Sequence, residues 1–171
     1  HIQQQMLAGE RMPEHCGQVC YHYENLGIES YRQYESRDWL NQLGIDNFRD
    51  LDKITKPYYY EVHWGNLCNL RCRGCVPRRS SAIEQEFRKH GITDELDTNL
   101  TREFPSIDVV DIPGLDRQSR VYVSGGEPVI MPEVLEFMSR CVEQKRTDFE
   151  LTMSTNGLLI PQKFVDLSRN F

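Results

Sequence analysis

Three short segments of the chain alternate apolar with polar or mixed residues, and each ends at a turn. Alternation with a period of two is typical of β-strands, whose side chains point to opposite faces in turn. The turn residues that follow the segments, among them Gly65, Gly125 and Gly157, support this interpretation. The three predicted strands are residues 58–64, 120–124 and 149–153.

Helical patterns follow these strands. Residues 81–84 read Ser-Ala-Ile-Glu, which fits a capping box at the start of a helix, and Gly91 is placed to end that helix. A second helix is predicted at residues 132–146, and a third begins at Pro161. A further short strand is predicted at residues 107–112. The second helix carries an apolar stripe formed by Val134, Leu135, Met138, Cys141 and Val142.

The alternation of strand and helix predicts an α/β fold, with parallel strands joined by right-handed crossovers. In such sheets and barrels the carboxyl ends of the strands form the active edge. The three loops at that edge have distinctive chemistry: a cysteine cluster, a Gly-Gly-Glu-Pro stretch and a Thr-Asn-Gly stretch. We therefore expect these three loops to converge on one site.

The amino-terminal third differs from the rest, because it is polar, is interrupted by glycines and shows no obvious strand. Two short helices are predicted in it, at residues 30–43 and 46–53. We therefore predict an amino-terminal extension of residues 1–55 and an α/β domain of residues 56–171. The chain begins with histidine rather than methionine and ends inside a helical pattern, so we expect it to be a portion of a longer protein.

Composition narrows the classes of function. Twenty Lys and Arg stand against 26 Asp and Glu, a formal net charge of −6, so nucleic acid is not an expected partner. No segment approaches the roughly 18 consecutive apolar residues of a membrane span, and no signal peptide opens the chain. We expect a cytoplasmic protein that does not bind membranes. In that setting the six cysteines indicate metal or redox chemistry rather than disulfides.

The larger cysteine cluster follows the first strand. Cys68, Cys72 and Cys75 have the spacing C-x3-C-x2-C, and thiolates are ligands for iron–sulfur clusters, zinc or copper(I). Three thiolates leave one iron of a [4Fe–4S] cluster free to bind another molecule, whereas a closed cluster takes four. Buried thiols on one helix face and a zinc site are the alternatives. Gly74 and Pro77 are poor helix formers, and zinc ligands usually come in C-x2-C pairs that total four.

This cysteine motif, followed by Gly-Gly-Glu-Pro after the second strand, resembles the radical S-adenosylmethionine (SAM) superfamily. The resemblance implies a partial (βα)6 barrel with about three βα units, behind a helical or irregular extension. It implies that Cys68, Cys72 and Cys75 hold a [4Fe–4S] cluster whose fourth iron binds the SAM amino and carboxylate groups. Reductive cleavage of SAM would yield methionine and a 5′-deoxyadenosyl radical, which abstracts hydrogen from a substrate.

By the same resemblance, the Gly-Gly-Glu-Pro loop contacts the SAM amino group. Glycines let the backbone approach a ligand closely, and a carboxylate accepts hydrogen bonds from an ammonium. The Thr-Asn-Gly stretch would lie near the SAM and substrate cavity, although Asn-Gly is also a common turn. Gly74 stands where the family usually has a bulky residue against the adenine. The candidate SAM-binding residues are Gly125, Gly126, Glu127, Pro128, Ser154 and Asn156.

The smaller cysteine cluster is Cys16 and Cys20, within a stretch that resembles the SPASM/twitch-like segment of one radical SAM subgroup. The resemblance implies an auxiliary iron–sulfur cluster on this pair in the full-length protein. The subgroup more often spaces these cysteines C-x2-C, and two thiolates alone close neither a cluster nor a zinc site. Zinc binding and structural thiols are the alternatives.

The predicted function is that of a radical SAM enzyme. The implied partners are SAM, an electron donor such as flavodoxin or ferredoxin, and a substrate for which a peptide is the candidate. The alternative is a non-catalytic iron–sulfur or zinc module for electron transfer or binding, which would need a fourth Cys or His ligand. No sequence feature chooses among methyl transfer, crosslinking, epimerisation and rearrangement.

Overall fold

The computed structural model describes part of the chain, and the chain divides into two compact units, residues 1–55 and 56–171. The predicted helix at residues 46–53 and the predicted strand at residues 107–112 lie outside the described residues, apart from one terminal residue of each. Within the described part, no helix is both long and apolar enough to cross a membrane. The described residues are 16–46, 56–92, 112 and 114–171.

In the described residues of the first unit there are two α-helices, α1 (Cys20–Asn25) and α2 (Tyr31–Leu43). Helix α2 confirms the predicted helix at residues 30–43, with Ser30 as its amino-terminal cap. The Ser30 hydroxyl accepts a hydrogen bond from the Gln33 amide at 3.3 Å, and the Gln33 side chain accepts one from the Ser30 amide at 3.1 Å. This reciprocal pair is a capping box, and it satisfies two amides that a helix start leaves unpaired.

The second unit is built on a sheet of three parallel strands in the order β1-β2-β3. The strands are β1 (Tyr59–His63), β2 (Arg120–Ser124) and β3 (Glu150–Met153). All three lie where the sequence predicts them, and their parallel pairing confirms the α/β class. The sheet with its helices corresponds to about three βα units of the predicted partial barrel.

Three α-helices accompany the sheet in the part of this unit that the structure describes: α3 (Ser81–Lys89), α4 (Pro132–Glu143) and α5 (Gln162–Ser168). The predicted capping box at residues 81–84 is wrong by one residue. Ser80 is the cap, and its hydroxyl accepts a hydrogen bond from the Ile83 amide at 3.3 Å. Because the residue three positions after Ser80 is an isoleucine, no side chain returns the bond to the cap, and the Ser80 hydroxyl makes a single cap bond.

The core lies between one face of the sheet and helix α4. Trp64 and Phe137 pack with ring centroids 5.1 Å apart, and Val121 and Val123 are fully buried. The predicted apolar stripe of α4 is partly wrong, because two of its members are only half-buried and Phe137 was not included. The buried residues of α4 are Val134, Phe137, Met138 and Cys141.

Candidate cofactor site at the carboxyl ends of the strands

The cysteine loop, residues 64–76, follows β1 and carries three free thiols. Cys68 and Cys75 are half-buried, whereas Cys72 is exposed. The amide of Cys75 donates to the carbonyl of Cys72 at 2.9 Å, so these two residues close a tight turn. The loop therefore displays its middle cysteine to solvent and folds the third back beside it.

The start of helix α3 holds the backbone of this loop. The Ser81 hydroxyl accepts a hydrogen bond from the Cys68 amide at 3.1 Å, and the Ser81 amide donates to the Asn66 carbonyl at 2.7 Å. The Ser80 hydroxyl donates to the Leu70 carbonyl at 2.8 Å. Ser80, which caps the helix, and its neighbour Ser81 thus fix three positions around the first cysteine.

Hydrogen bonds to the Glu84 carboxylate reinforce the attachment of the cysteine loop to α3. The Asn66 side-chain amide donates to Glu84 at 2.7 Å, and the Arg88 guanidinium donates to the other oxygen of the same carboxylate at 2.7 Å. Burial alone would raise the pKa of Glu84, but the hydrogen bonds from Arg88 and Asn66 hold that pKa below its ordinary value. The carboxylate stays ionised at neutral pH and holds Asn66 in place.

The Gly-Gly-Glu-Pro loop docks directly on the cysteine loop. The amides of Gly126 and Glu127 donate to the carbonyls of Gly65 and Leu67, at 3.2 and 2.8 Å. A Cβ atom added to Gly126 would lie 2.2 Å from the Leu67 oxygen, and one added to Gly125 would lie 2.6 Å from the Gly65 oxygen. Gly125 also has a φ of 141°, which side chains disfavour. Both glycines are required because two backbones meet here.

Glu127 is the chemically unusual residue of this loop, because its side chain is 2% exposed. One carboxylate oxygen accepts a hydrogen bond from the Asn156 amide at 2.8 Å. The other is buried and has no hydrogen-bond partner among the described residues. Leaving a buried acceptor unpaired costs about 1–3 kcal/mol. Such an oxygen is suited to a donor supplied by a ligand, and a cationic donor best of all.

The Thr-Asn-Gly stretch joins the same site. Besides its amide bond to Glu127, the Asn156 side chain donates to the Asn69 side-chain oxygen at 2.9 Å, and Asn69 lies next to Cys68. Ser154 is exposed, and its hydroxyl lies 3.1 Å from the hydroxyl of Tyr122. The three loops therefore meet as the sequence predicts, with Asn156 in contact with the other two.

The thiols themselves are not gathered into a ligand set. In the described segments, no three Cys, His, Asp or Glu side chains are placed to hold a metal ion together. The Cys68 sulfur accepts a bond from the Leu70 amide at 3.4 Å, and the Cys75 thiol donates to the Val76 carbonyl at 3.7 Å. The donor types fit an iron–sulfur cluster, because three soft thiols share one short loop. The unpaired carboxylate oxygen of Glu127 lies in the loop that docks on it.

Polar residues at the ends of β1 and β2 adjoin the loops. The Ser124 hydroxyl donates to the Glu61 carboxylate at 3.0 Å, and the Arg79 guanidinium donates to Ser124 at 3.5 Å. Burial, together with the nearby charges of Arg79 and Arg78, lowers the pKa of His63, so this imidazole is neutral at neutral pH. Sequence reasoning gave Glu61 and His63 no role at the site.

Several anchoring residues were also missed. Ser80 and Ser81 could have been found, since adjacent serines before a helical pattern are a strong cap signal. Asn66 and Asn69 carry no comparable signal in the sequence. Pro128, a predicted site residue, is buried at the start of a 3₁₀ turn (Pro128–Ile130) and shapes the loop. In the first unit, Cys20 is the first residue of α1, and both Cys16 and Cys20 are half-buried free thiols.

The chain is similar to several proteins named GTP 3′,8-cyclase. It is 27% identical to that of Alkaliphilus oremlandii over 104 residues, which cover 61% of this chain and 29% of the relative. It is 28% identical to that of Geobacter sulfurreducens over 111 residues, which cover 64% and 30%, and 30% identical to that of Nostoc punctiforme over 103 residues, which cover 60% and 28%. These relatives support the radical SAM superfamily, and the chain spans about three-tenths of their length.

Among solved structures, the chain matches that of Streptococcus suis SuiB bound to S-adenosylmethionine. The TM-score is 0.35 and the sequence identity is 17%, and the match covers 79% of this chain and 25% of the other. No protein-family profile matches the chain.

Proposed function

We propose that this chain is the cofactor-binding part of a radical SAM enzyme. In this proposal Cys68, Cys72 and Cys75 hold a [4Fe–4S] cluster, and the Gly-Gly-Glu-Pro loop binds SAM beside it. When bound, these cofactors supply a 5′-deoxyadenosyl radical by reductive cleavage of SAM. The protein's own residues bind, orient and shield the reactants.

The observation that carries the proposal is the unpaired oxygen of Glu127. It lies in a loop whose backbone is bonded to the cysteine loop at Leu67, next to Cys68. SAM carries an ammonium that would donate to this oxygen, while the Asn156 amide continues to hold the other. A module that only transfers electrons has no use for a buried, half-paired carboxylate at this position.

Cluster binding requires the three thiols to turn toward a common point. The bonds from Ser80 and Ser81 fix backbone atoms of residues 66–70, and the sulfurs are restrained only by contacts of 3.4 and 3.7 Å. Hydrogen bonds to sulfur are weak, so rotation about the Cα–Cβ bonds costs little. The anchored backbone would keep Cys68 in position while Cys72 and Cys75 move with their turn.

Gly74 leaves room for part of the SAM molecule. The residue is exposed, and a Cβ atom added to it would meet nothing within 4 Å. The family usually has a bulky side chain against the adenine at this position. In this chain the backbone of Gly74 is exposed there instead. We propose that the adenine packs on the Gly74 backbone and that Ser154 and Asn156 bound the cavity from the side of β3.

The substrate has two candidates. The relatives are named for a reaction of GTP, whereas the resemblance of residues 1–55 to a twitch-like segment suggests a peptide. We further propose a flavodoxin- or ferredoxin-type electron donor, because reductive cleavage needs an external electron. An auxiliary iron–sulfur cluster on Cys16 and Cys20 is also proposed, with ligands from outside the described residues completing it.

The test is anaerobic reconstitution of the chain with iron and sulfide, followed by EPR of the reduced protein with and without SAM. We expect a [4Fe–4S]⁺ signal that changes shape on addition of SAM. The Cys72→Ala variant should lose this signal, whereas Cys141→Ala, which removes a buried core thiol, should retain it. A Cys16→Ala/Cys20→Ala double variant should keep the SAM-responsive signal and bind less iron per chain.

Two results would overturn the proposal. A cluster whose spectrum ignores SAM would favour the electron-transfer module. Zinc bound in place of a cluster, with loss of zinc in Cys72→Ala, would favour a structural metal site. If the Cys16→Ala/Cys20→Ala variant binds as much iron as the wild type, the auxiliary cluster is excluded while the main site stands.

A further inference from the structure

The two faces of the sheet have opposite chemistry. One face packs into the core through Tyr60, Val62, Val121, Val123, Leu151 and Met153. Side chains alternate along a strand, so the remaining residues point to the other side. This second surface, here named the open face, also includes Ser154, which follows β3 and meets the Tyr122 hydroxyl at 3.1 Å. Its strand residues are Tyr59, Glu61, His63, Arg120, Tyr122, Ser124, Glu150 and Thr152.

The strand register arranges most of the open face in rows. The row farthest from the loops is Tyr59, Arg120 and Glu150, and the middle row is Glu61, Tyr122 and Thr152. His63 pairs with Ser124 at the loop end. Ser124 directly precedes Gly125, so this end of the open face runs into the proposed SAM site.

The composition of the open face excludes a packed core. A parallel sheet is almost always covered on both faces, and the interior of a filled barrel is dominated by Val, Ile and Leu. The open face has no aliphatic residue, and most of its side chains are exposed or half-buried. A parallel fold must cover this surface, and the surface carries only polar and aromatic side chains. It is therefore suited to a polar ligand.

Hydrogen bonds within the open face identify the group that is available to a ligand. Arg120 donates to Glu150 at 2.9 Å, so the two charges in the row farthest from the loops form an ion pair. Arg79 directs its guanidinium to the Ser124 hydroxyl rather than to a carboxylate. Glu61 accepts a single neutral hydrogen bond, from Ser124, and is otherwise exposed. It is the acidic group of the open face that lacks an ion-pair partner among the described residues.

A triphosphate does not match the part of this surface around Glu61, and the Arg79 guanidinium contributes positive charge only at the Ser124 end. Recognition of phosphate groups relies on arginine, lysine or backbone amides, and a carboxylate repels them. Glu61 instead complements a cation, and the Tyr122 and Ser154 hydroxyls, 3.1 Å from each other, can accept further donors. The charge distribution favours a substrate with an ammonium or guanidinium group over a nucleoside triphosphate.

We propose that the open face is the substrate surface of the enzyme and that Glu61 binds an ammonium or guanidinium group of the substrate. This inference rests on the proposed function, since it places the substrate beside the SAM site. It also favours a peptide as the substrate, because a basic side chain complements Glu61 and the phosphate groups of GTP do not. Glu61, with Tyr122 and Ser154 beside it, determines specificity.

The test uses the whole chain and two nearly isosteric probes, N-butylguanidinium and N-butylurea, which differ in charge. We expect N-butylguanidinium to shift the NMR amide signals of Glu61, Tyr122 and Ser154, and N-butylurea to do so at least about 10-fold more weakly. Glu61→Gln keeps the shape and removes the charge, so it should weaken N-butylguanidinium binding about 10-fold. The control is Glu133→Gln, an exposed acid on α4, which should bind like the wild type.

The inference is overturned if GTP or tripolyphosphate shifts the same three signals, or if Glu61→Gln binds N-butylguanidinium as tightly as the wild type. EPR separates this failure from failure of the proposed function. A SAM-responsive cluster without binding of the cation at Glu61 overturns the substrate inference alone. Cation binding at Glu61 without a SAM-responsive cluster supports the binding site and overturns the enzyme. Loss of the SAM response in Glu61→Gln would instead place Glu61 in the SAM site.

Discussion

The two cysteine-bearing regions of this protein are built differently. The cysteine loop is bonded through its backbone to Ser81 of α3 and to Gly126 and Glu127 of the glycine-rich loop. In the first unit, the hydrogen bonds described between α1 and α2 join Glu24 to Ser30 at 2.6 Å and to Arg32 at 2.7 Å, and none of them involves a cysteine. One region positions its cysteines by contacts from distant parts of the chain, and the other carries Cys20 at the start of a short helix, with Cys16 before it.

This difference bears on how cysteine motifs should be interpreted. The spacing of cysteines along the chain indicates which thiols can reach one metal centre. A metal site also requires surrounding residues that hold the ligands close to their binding geometry. The cysteine loop has that support for its backbone, and Cys16 and Cys20 show none in the described residues. We therefore expect mutations at the contacts of the cysteine loop to have measurable effects, and the following experiments measure how strongly those contacts hold the loop.

The largest effect is expected for Gly126→Ala. Its new methyl group would lie 2.2 Å from the Leu67 carbonyl oxygen, so the two loops must separate. We expect the free energy of unfolding to fall by about 3 kcal/mol, measured by urea denaturation, with loss of the SAM-responsive EPR signal. Gly74→Ala is the matched control, because its methyl group meets nothing within 4 Å and should change stability by less than about 0.5 kcal/mol. Equal losses of unfolding free energy in the two variants would show that the loops do not dock.

A smaller effect is expected for Ser80→Ala. This fully buried hydroxyl caps α3 and also donates to the Leu70 carbonyl of the cysteine loop. Loss of both bonds should destabilise the protein by about 1–2 kcal/mol and lower the amount of cluster that is reconstituted. Ser168→Ala removes an exposed hydroxyl that bonds only within α5 and should be nearly neutral. A neutral Ser80→Ala would mean that α3 does not hold the loop.

The smallest effect is a pH dependence that arises from His63. Its pKa in the folded protein lies below the ordinary value of 6.5, so the unfolded chain binds more protons as the pH falls below that value. Stability of the cluster-free protein should be flat above about pH 7 and should decrease below about pH 6.5, by at most about 1.4 kcal/mol per pH unit. Denaturation midpoints measured between pH 5 and pH 8 test this, and His63→Gln should flatten the profile. An unchanged profile in that variant would assign the dependence to another group.

Much of the fold follows from local pattern. The three strands, the helix capped by Ser30 and the helix after Pro132 all occur where periodicity and capping signals place them. The start of α3 was predicted wrongly because two adjacent serines could each cap the helix. Ser80 rather than Ser81 caps α3, because Ser80 lies where its hydroxyl can reach both the helix and the cysteine loop.

The candidate site could be predicted as a set of loops but not as a set of contacts. Parallel strands bring their carboxyl ends to one edge, which is why the cysteine, Gly-Gly-Glu-Pro and Thr-Asn-Gly loops were expected to meet. The bond of Asn156 to Glu127 joins residues 29 positions apart, and that of Asn156 to Asn69 joins residues 87 apart. No local rule links such pairs, since their approach depends on how the whole sheet and its loops pack.

The sequence by itself determined the α/β class, the order of its elements and the chemistry available at the strand ends, because these depend on periodicity and residue type within short windows. Only the tertiary structure decided that the Gly126 and Leu67 backbones meet, that Glu127 is buried with one oxygen unpaired, and that Glu61 faces the open side of the sheet. The physical reason is that burial and hydrogen bonding between distant residues arise from packing, and the same short sequence would have neither property on an exposed turn.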